Sequence, residues 1–591
     1  MWRNLNLFAD LKIELPFFKE KTSALIATGF LKGIPSSPGV VIAKALVIQP
    51  EIFISANDKV SSGTSSFEID RLTQAFKDLN LEFKAVVDRI PESNTGAVNI
   101  LETNLLIIND EFLQKSINAF INDGYTAESA VIREFEKQKV YLLNSRDKIL
   151  RERATELDHV KTHILSALKQ RCLQYNIAND RVLVAQSLTP TDFVNYKEAG
   201  ALAVVTEAGG IASHVSILAR SFETPAVIGV KDATGIIKNN DLVIIDGFTG
   251  LVIYNPNDEL IAKYQDKIEK IEKHRIALGK LAKEPAVTAD GRKIHLMANV
   301  DRLDDIDAAN LVGAEGIGLV RSESLIINYS TIPGEELQSK WYREIADRIY
   351  PNPVTIRAFD IGSDKYVEGM PHAESNPALG FRGIRYLLSR TELFKAQIRS
   401  VLRASINKNV RFMLPMVSDT SELVKSLQII DECKKELSAE QIDFDANMPV
   451  GIMIETPSAA LMADELAELS DFFSIGTNDL TQYTLAVDRT NELVSDRFDS
   501  FNPAVLKLIA MTAEAAARKK IPVGICGELA GHSAATTILI GMGITELSVV
   551  PAMVLELKNR IRKMKYSAVK KNTSKLLKLP DSYQILKILE Q

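Results

Sequence analysis

The chain is poor in cysteine: Cys172, Cys433 and Cys526 are the only three in 591 residues. An odd, sparse set excludes a disulfide framework and points to a reducing compartment, the cytoplasm. No run of about 20 apolar residues occurs, so no membrane-spanning helix is expected. The opening MWRNLNLFADLKIELPFF is broken by Asn, Asp, Lys and Glu, which argues against a signal peptide. A basic excess is also missing. The formal net charge is −6 and the pI about 5.9, which speaks against a nucleic-acid partner.

What is present is a long soluble composition with a change of rhythm along it. Residues 1–31 carry no readable motif and stand as an N-terminal extension of unknown role. A turn-rich Gly33-Ile34-Pro35-Ser36-Ser37-Pro38-Gly39 then leads into the apolar VVIAKALVI (40–48), one or two buried strands. From Ile69 the spacing becomes helical. Ile69, Leu72, Phe76, Leu79, Phe83, Val86 and Ile90 alternate steps of three and four, the seam of one helix face, and Pro91 ends it. Further helices are expected near 97–109, 111–122 and 127–176, with Thr126 as an N-cap. Strands resume at 182–186, 203–207, 226–230, 242–247 and 251–255. The helical bundle at 61–177 is therefore an insert in a β/α domain built from 32–60 and 178–256. Residues 257–284 read as a charged connecting helix.

From 285 to 591, eight strand-like runs alternate with helical segments: 294–300, 316–323, 354–362, 410–417, 450–456, 472–480, 523–530 and 545–550. Eight such repeats predict a closed β/α (TIM) barrel, whose active-site groups stand at the C-terminal strand ends. Those ends carry Arg321 and Glu323, Arg357 and Asp360, Gly362-Ser363-Asp364-Lys365, Glu455, Asn478-Asp479, and Cys526 with Glu528; Arg489 follows strand six. Arginine forks match phosphate and carboxylate oxygens. Mg²⁺ takes one or two carboxylates plus substrate oxygens, a role that suits Glu455 and Asp479. The expected ligand is small and carries both phosphate and carboxylate. Cys526, protonated near neutral pH, has the chemistry to protonate a carbanion-like carbon. A barrel cysteine is also a common core residue.

A second site lies in the β/α domain, at TEAGGIASHVSILAR (206–220). Ser213 is a good N-cap and His214 opens the helix. A helix N-terminus favours anions and disfavours imidazolium, so His214 is expected to stay neutral and nucleophilic. A structural helix-start histidine is the alternative. The other histidines lack comparable context.

The runs GGIASHVSILARSFETPAVIG and DFFSIGTNDLTQYTLAVDR (471–489) make the chain resemble the phosphoenolpyruvate-utilising enzymes. With SPG (37–39), IRAFDIGSDK, NPALGFRGIR and GICGELAG, the order and spacing resemble enzyme I of the bacterial phosphotransferase system over about 32–565. That resemblance implies an α/β multidomain protein with a swivelling phosphohistidine domain, an inserted helical bundle and a C-terminal TIM barrel. It implies that His214 is the phosphorylated residue. Arg321, Arg357, Lys365, Asn478, Asp479 and Arg489 would bind phosphoenolpyruvate, with Arg382 close by. Glu455 and Asp479 would hold Mg²⁺, and Cys526 would protonate the enolate to pyruvate. The implied partner is the phosphocarrier protein HPr or a paralogue, docked on the helical insert, and the barrel would form a homodimer. The chain departs from the family pattern at Ile211 and Ala212 before Ser213-His214, and at Ser363 beside Lys365.

Four readings follow: enzyme I of sugar uptake, a paralogue feeding a regulatory phosphorelay, a phosphoenolpyruvate synthase or dikinase, and a degenerate phosphoenolpyruvate sensor. The third would need a nucleotide-binding domain, and no glycine-rich phosphate loop is present. The fourth is motivated by the changed residues near His214, although every group the chemistry needs is there.

Overall fold

Short runs of Val, Ile and Leu build one mixed sheet in the first part of the computed structural model. Its strands are β1 (Gly29–Lys32), β2 (Ile34–Ser37), β3 (Val40–Ile48), β4 (Arg181–Ala185), β5 (Ala203–Thr206), β6 (Ala226–Ile228), β7 (Leu242–Asp246) and β8 (Leu251–Tyr254). The structure describes residues 28–48, 58–60, 65–87, 104–143, 157, 160–165, 167–168, 178–210, 213–329, 332–362, 376–489, 491 and 493–589. These residues divide into two units, one up to Glu272 and one from Lys273.

In the first unit the strand order is β1-β8-β7-β3-β4-β5-β6-β2. β3 to β6 run parallel, while β1, β2, β7 and β8 are antiparallel to their neighbours. The central parallel strands are buried on both faces, hence their unbroken apolar sequences. Alternation splits them between two cores. Val182, Val184, Val205 and Val227 face one side, and Leu183, Ala185, Val204 and Ile228 the other.

The second of these cores also takes the buried face of the helical segment. The helix Ser65–Val87 contributes Leu72, Phe76, Leu79 and Phe83, and the helix Glu111–Asn122 contributes Leu113, Ile117 and Ile121. Asp110 caps that second helix by accepting from the Phe112 and Leu113 N–H groups. The Thr126 hydroxyl accepts from Ser129 N–H at 3.2 Å and starts the helix Ala127–Leu143.

One feature differs from the sequence reading, and one open choice is resolved. β1 begins at Gly29, inside the stretch 1–31 that carried no motif, and pairs Phe30 with Ile253 and Leu31 with Val252. A four-residue edge strand holds too few apolar positions for a period to show; its pairing partner defines it. Residues 40–48, open to one strand or two, form the single strand β3.

The second unit is a closed parallel barrel of β9 (His295–Val300), β10 (Ile317–Arg321), β11 (Val354–Arg357), β12 (Val410–Leu414), β13 (Val450–Ile454), β14 (Phe473–Ile475), β15 (Val523–Ile525) and β16 (Glu546–Val549). All eight expected strands are present. Several are shorter than the strand-like runs expected from the sequence. β14 stops at Ile475, and the helix Thr477–Leu485 starts where the sequence pattern continued a strand to 480. A short buried run cannot by itself separate strand from helix. The consequence is functional, because the polar groups sit just past the strand ends, around one mouth. Among the described residues no helix is long and apolar enough to cross a membrane.

Candidate active site

Each mouth residue is delivered by the strand that precedes it. Arg321 and Arg357 close β10 and β11 and stand opposite each other in register. Glu455 follows β13 by one residue, as Cys526 follows β15. They line one cavity of about 810 Å³ with Arg382, Asn478, Asp479 and Arg489. This brings together seven of the nine residues singled out from the sequence. Lys365 falls in 363–375, outside the described residues, and His214 belongs to the other unit.

The cavity floor is an alternating charge network. Arg357 is buried and donates from Nη2 to Glu323 Oε1 at 2.8 Å. Its Nη1 lies 3.5 Å from Asp360 Oδ2. Burial works against the Arg357 charge, but Glu323 and Asp360 outweigh it and raise its pKa. Glu323 Oε1 also accepts the Asp360 backbone N–H at 2.6 Å. Arg382 donates to Asp360 and, from Nη1, to the Tyr483 hydroxyl at 3.1 Å. Both arginines are therefore held charged and preorganised, which suits recognition of an anion.

Glu455 and Asp479 pass a test for a hard cation. Glu455 Oε1 accepts the Met416 N–H at 2.6 Å. Burial first, then the nearby Asp479 and Asp360 carboxylates, push its pKa up to about 8, against the pull of Arg357 and Arg382. Asp479 Oδ1 is buried without a hydrogen-bond partner among the described residues, Arg489 Nη2 being 3.9 Å away. A Cβ at Gly476 would stand 2.8 Å from Glu455 Oε2, so glycine leaves room for that carboxylate. Crowded acidic oxygens with an unused acceptor fit an oxygen-loving cation such as Mg²⁺.

Cys526 is 3% exposed and packs with Leu319, Met413, Met453 and Phe472 in the barrel interior. Burial pushes its thiol up to about 11, partly offset by the Ser474 hydroxyl. It is thus a protonated thiol at neutral pH. Asn478 and Glu528 are tied by two hydrogen bonds, Glu528 N–H to Asn478 Oδ1 at 3.0 Å and Asn478 Nδ2 to Glu528 Oε1 at 3.3 Å. Arg321 is half exposed, with Nη1 3.5 Å from Asp301 Oδ2.

Two contributors escaped the sequence reading. Tyr483 stands four residues after Asp479, so one helix face carries both to the cavity. That spacing was legible. The Ser474 contact to Cys526 spans 52 residues, and nothing local announces it.

In the first unit, β5 leads through a tight loop into the helix His214–Ser221. Glu207 N–H and Ala208 N–H donate to the Ala185 and Gln186 carbonyls, and Gly209 adopts φ +109°. Ser213 is the N-cap, as expected; its hydroxyl accepts from Ser216 N–H and lies 2.9 Å from the Ser216 hydroxyl. Ser216 Oγ donates to the Gly210 carbonyl at 2.6 Å and locks the turn. His214 is the first residue of the helix, so its backbone N–H is among the groups without an intrahelical partner. The His214 side chain, Ile211 and Ala212 lie outside what the structure describes.

Comparison with known proteins shows the family. Models of the PEP-utilising enzyme match in three parts: the N-terminal part at 32–153, the mobile domain at 177–250 and the PEP-binding domain at 275–566. A phosphoenolpyruvate-protein phosphotransferase of Cupriavidus necator is 36% identical over 548 residues, 90% of this chain and 94% of that protein. One of Haemophilus influenzae is 35% identical over 569 residues, 95% of this chain and 98% of that protein. A solution structure of an enzyme I protein is 30% identical and covers 41% of this chain and 99% of its own, with a TM-score of 0.36. The barrel assignment rests on the strand pairings instead. By sequence, by domain content and by its barrel, the chain belongs to the PEP-utilising enzymes, in the family of the phosphoenolpyruvate-protein phosphotransferases.

Proposed function

We propose that the protein takes the phosphoryl group of phosphoenolpyruvate onto His214, releases pyruvate, and passes the group to a histidine of the phosphocarrier HPr or a paralogue. The observation that carries this reading is the single cavity in which fixed arginines, paired carboxylates and a protonated thiol meet. Phosphoenolpyruvate needs all three: cations for phosphate and carboxylate, oxygens for a metal, and an acid for its carbon.

Arg321, Arg357, Arg489 and Lys365 bind the anionic groups, with Asn478 and Asp479 completing the substrate contacts. Glu455 and Asp479 hold Mg²⁺, which when bound neutralises phosphate charge. The His214 imidazole attacks phosphorus, and the bond from phosphorus to the enol oxygen breaks. The electron pair becomes an enolate. Cys526 gives its proton to the terminal carbon, forming the methyl group of pyruvate. The phosphoimidazole then gives its phosphoryl group to the carrier histidine. One histidine must serve two sites, which a swivelling domain of 32–60 and 178–256 provides.

The helical segment 61–177 receives the carrier. Phe67, Leu106 and Phe112 are exposed there and support this role. The barrel, 285–591, serves as the dimerisation domain, the helix around 257–284 as the linker, and the cytoplasm as the compartment.

The test uses phosphoenolpyruvate labelled in its phosphoryl group, Mg²⁺, the protein and its His214→Ala variant. Acid-labile, base-stable label on the unchanged protein alone is the expected result. No label on a folded, Mg²⁺-saturated protein would favour a sensor of phosphoenolpyruvate.

A further inference from the structure

Ser474 sits in the middle of β14, between Phe473 and Ile475, and is 6% exposed. Buried parallel strands are dominated by Val, Ile and Leu, so a hydroxyl there needs a partner. Its partner is a sulfur: Ser474 Oγ donates to Cys526 Sγ at 3.2 Å. A neutral thiol is a weak acceptor, and the bond adds little to a resting core. It becomes charge-assisted, and roughly twice as strong, once the sulfur is a thiolate.

The cysteine is pinned on its other sides. Its N–H donates to the Ile475 carbonyl at 3.1 Å. Its carbonyl accepts from Asn299 Nδ2 at 3.1 Å, and Asn299 Oδ1 accepts from Ser548 Oγ at 2.7 Å. With Ser474 supplying a proton to one face of the sulfur, the S–H is left to point to the Ile475 carbonyl, 3.7 Å off, or into the cavity.

We propose that Ser474 is a positioning residue for the proton transfer from Cys526: its hydroxyl turns the S–H toward the cavity and stabilises the thiolate that the transfer leaves behind. This rests on the reading of Cys526 as the acid. In the step, the S–H bond breaks and a C–H bond forms at the enolate carbon. The negative charge passes from enolate to sulfur, where the Ser474 O–H meets it. Water returns the proton after pyruvate leaves.

The experiment is single-turnover pyruvate formation from phosphoenolpyruvate and Mg²⁺ in the full-length protein and its Ser474→Ala, Ser474→Thr and Cys526→Ala variants. Loss of one hydrogen bond to a charged group predicts that Ser474→Ala slows the step about tenfold or more. Half-saturation by phosphoenolpyruvate should stay within about twofold, since the hydroxyl's gain is realised only as charge develops. Ser474→Thr, which keeps the hydroxyl, should recover most of the rate. A normal rate in Ser474→Ala beside a slowed Cys526→Ala overturns the proposal and leaves the acid assignment standing. So does a Ser474→Ala whose loss lies in half-saturation, or one that Thr does not rescue. A normal rate in Cys526→Ala overturns the acid assignment itself, and the proposal with it.

Discussion

Arg382 grips Asp360 with a two-pronged fork, Nε to Oδ1 at 3.1 Å and Nη2 to Oδ2 at 2.6 Å, and both residues are buried. The pair joins the loop after β11 to a residue 22 positions on. It also sets the acidic partner of Arg357, whose Nη1 faces the same Asp360 oxygen at 3.5 Å. Removing the arginine takes the two-pronged partner from a buried carboxylate and leaves the longer Arg357 contact, a loss of up to about 3–5 kcal/mol. Arg382→Ala is therefore expected to lower the thermal unfolding midpoint of the barrel. Arg382→Lys should recover only part, because an ammonium cannot reproduce the fork. Scanning calorimetry of the three proteins checks both outcomes.

Glu455 and Asp479 make a prediction that needs no turnover. Outer partners of a metal ligand are already worth about 10–100-fold in affinity. Loss of a ligand should cost at least as much. Glu455→Gln and Asp479→Asn are each expected to weaken Mg²⁺ binding by that amount or more in titration calorimetry. A control at Glu528, which pairs with Asn478 at the rim, should change Mg²⁺ affinity far less.

The Cys526 thiol, pushed up to about 11, should resist alkylation at pH 8. Its reaction with iodoacetamide, followed on the Cys526 peptide by mass spectrometry, should climb until about pH 11 instead of levelling near about 8.5. The sign for stability follows. The folded protein keeps this proton where the unfolded chain has lost it, so the thiol's contribution to stability is complete below about pH 8.5 and is lost as pH rises through about 11. Ser474→Ala should raise the midpoint further, since the hydroxyl pulls it down.

The loop before His214 depends on one glycine. Gly209 has φ +109°, and a Cβ there would lie 3.0 Å from Ile228 Cγ2 and 3.1 Å from Ser213 Oγ. Gly209→Ala is expected to cost about 1–3 kcal/mol in strain. It should displace the Ser213 cap, lower the midpoint of the first unit, and slow labelling of His214 by phosphoenolpyruvate. Gly210→Ala meets nothing within 4 Å among the described residues and should leave the midpoint and the labelling nearly unchanged.

Much of this was legible in the chain. The eight apolar runs after residue 285 declared the barrel, because a strand buried on both faces must be apolar throughout. The rule that barrel chemistry stands at strand ends picked out Arg357, Glu455 and Cys526 directly. Ser213 before His214 declared a capped helix, since a short hydroxyl at that point satisfies an otherwise orphaned N–H. The strand ends were less legible. Ile475 ends β14, while the strand-like run expected from the sequence continued to 480 across Gly476-Thr477-Asn478-Asp479.

Tertiary structure alone decided which charges meet. Asp360 looked like one more carboxylate at a barrel mouth; the fold made it the hub of Arg357, three residues before it, and Arg382, 22 residues after it. Ser474 looked like a polar interruption in an apolar strand, and pairing of β14 with β15 set it against the thiol. The edge strand at Gly29 exists because β8 offers it a ladder. The physical reason is common to all three. Sequence periodicity records which face of an element is buried and how the element starts and stops, both local properties. Contacts between residues tens of positions apart depend on register, twist and closure, which no single segment encodes.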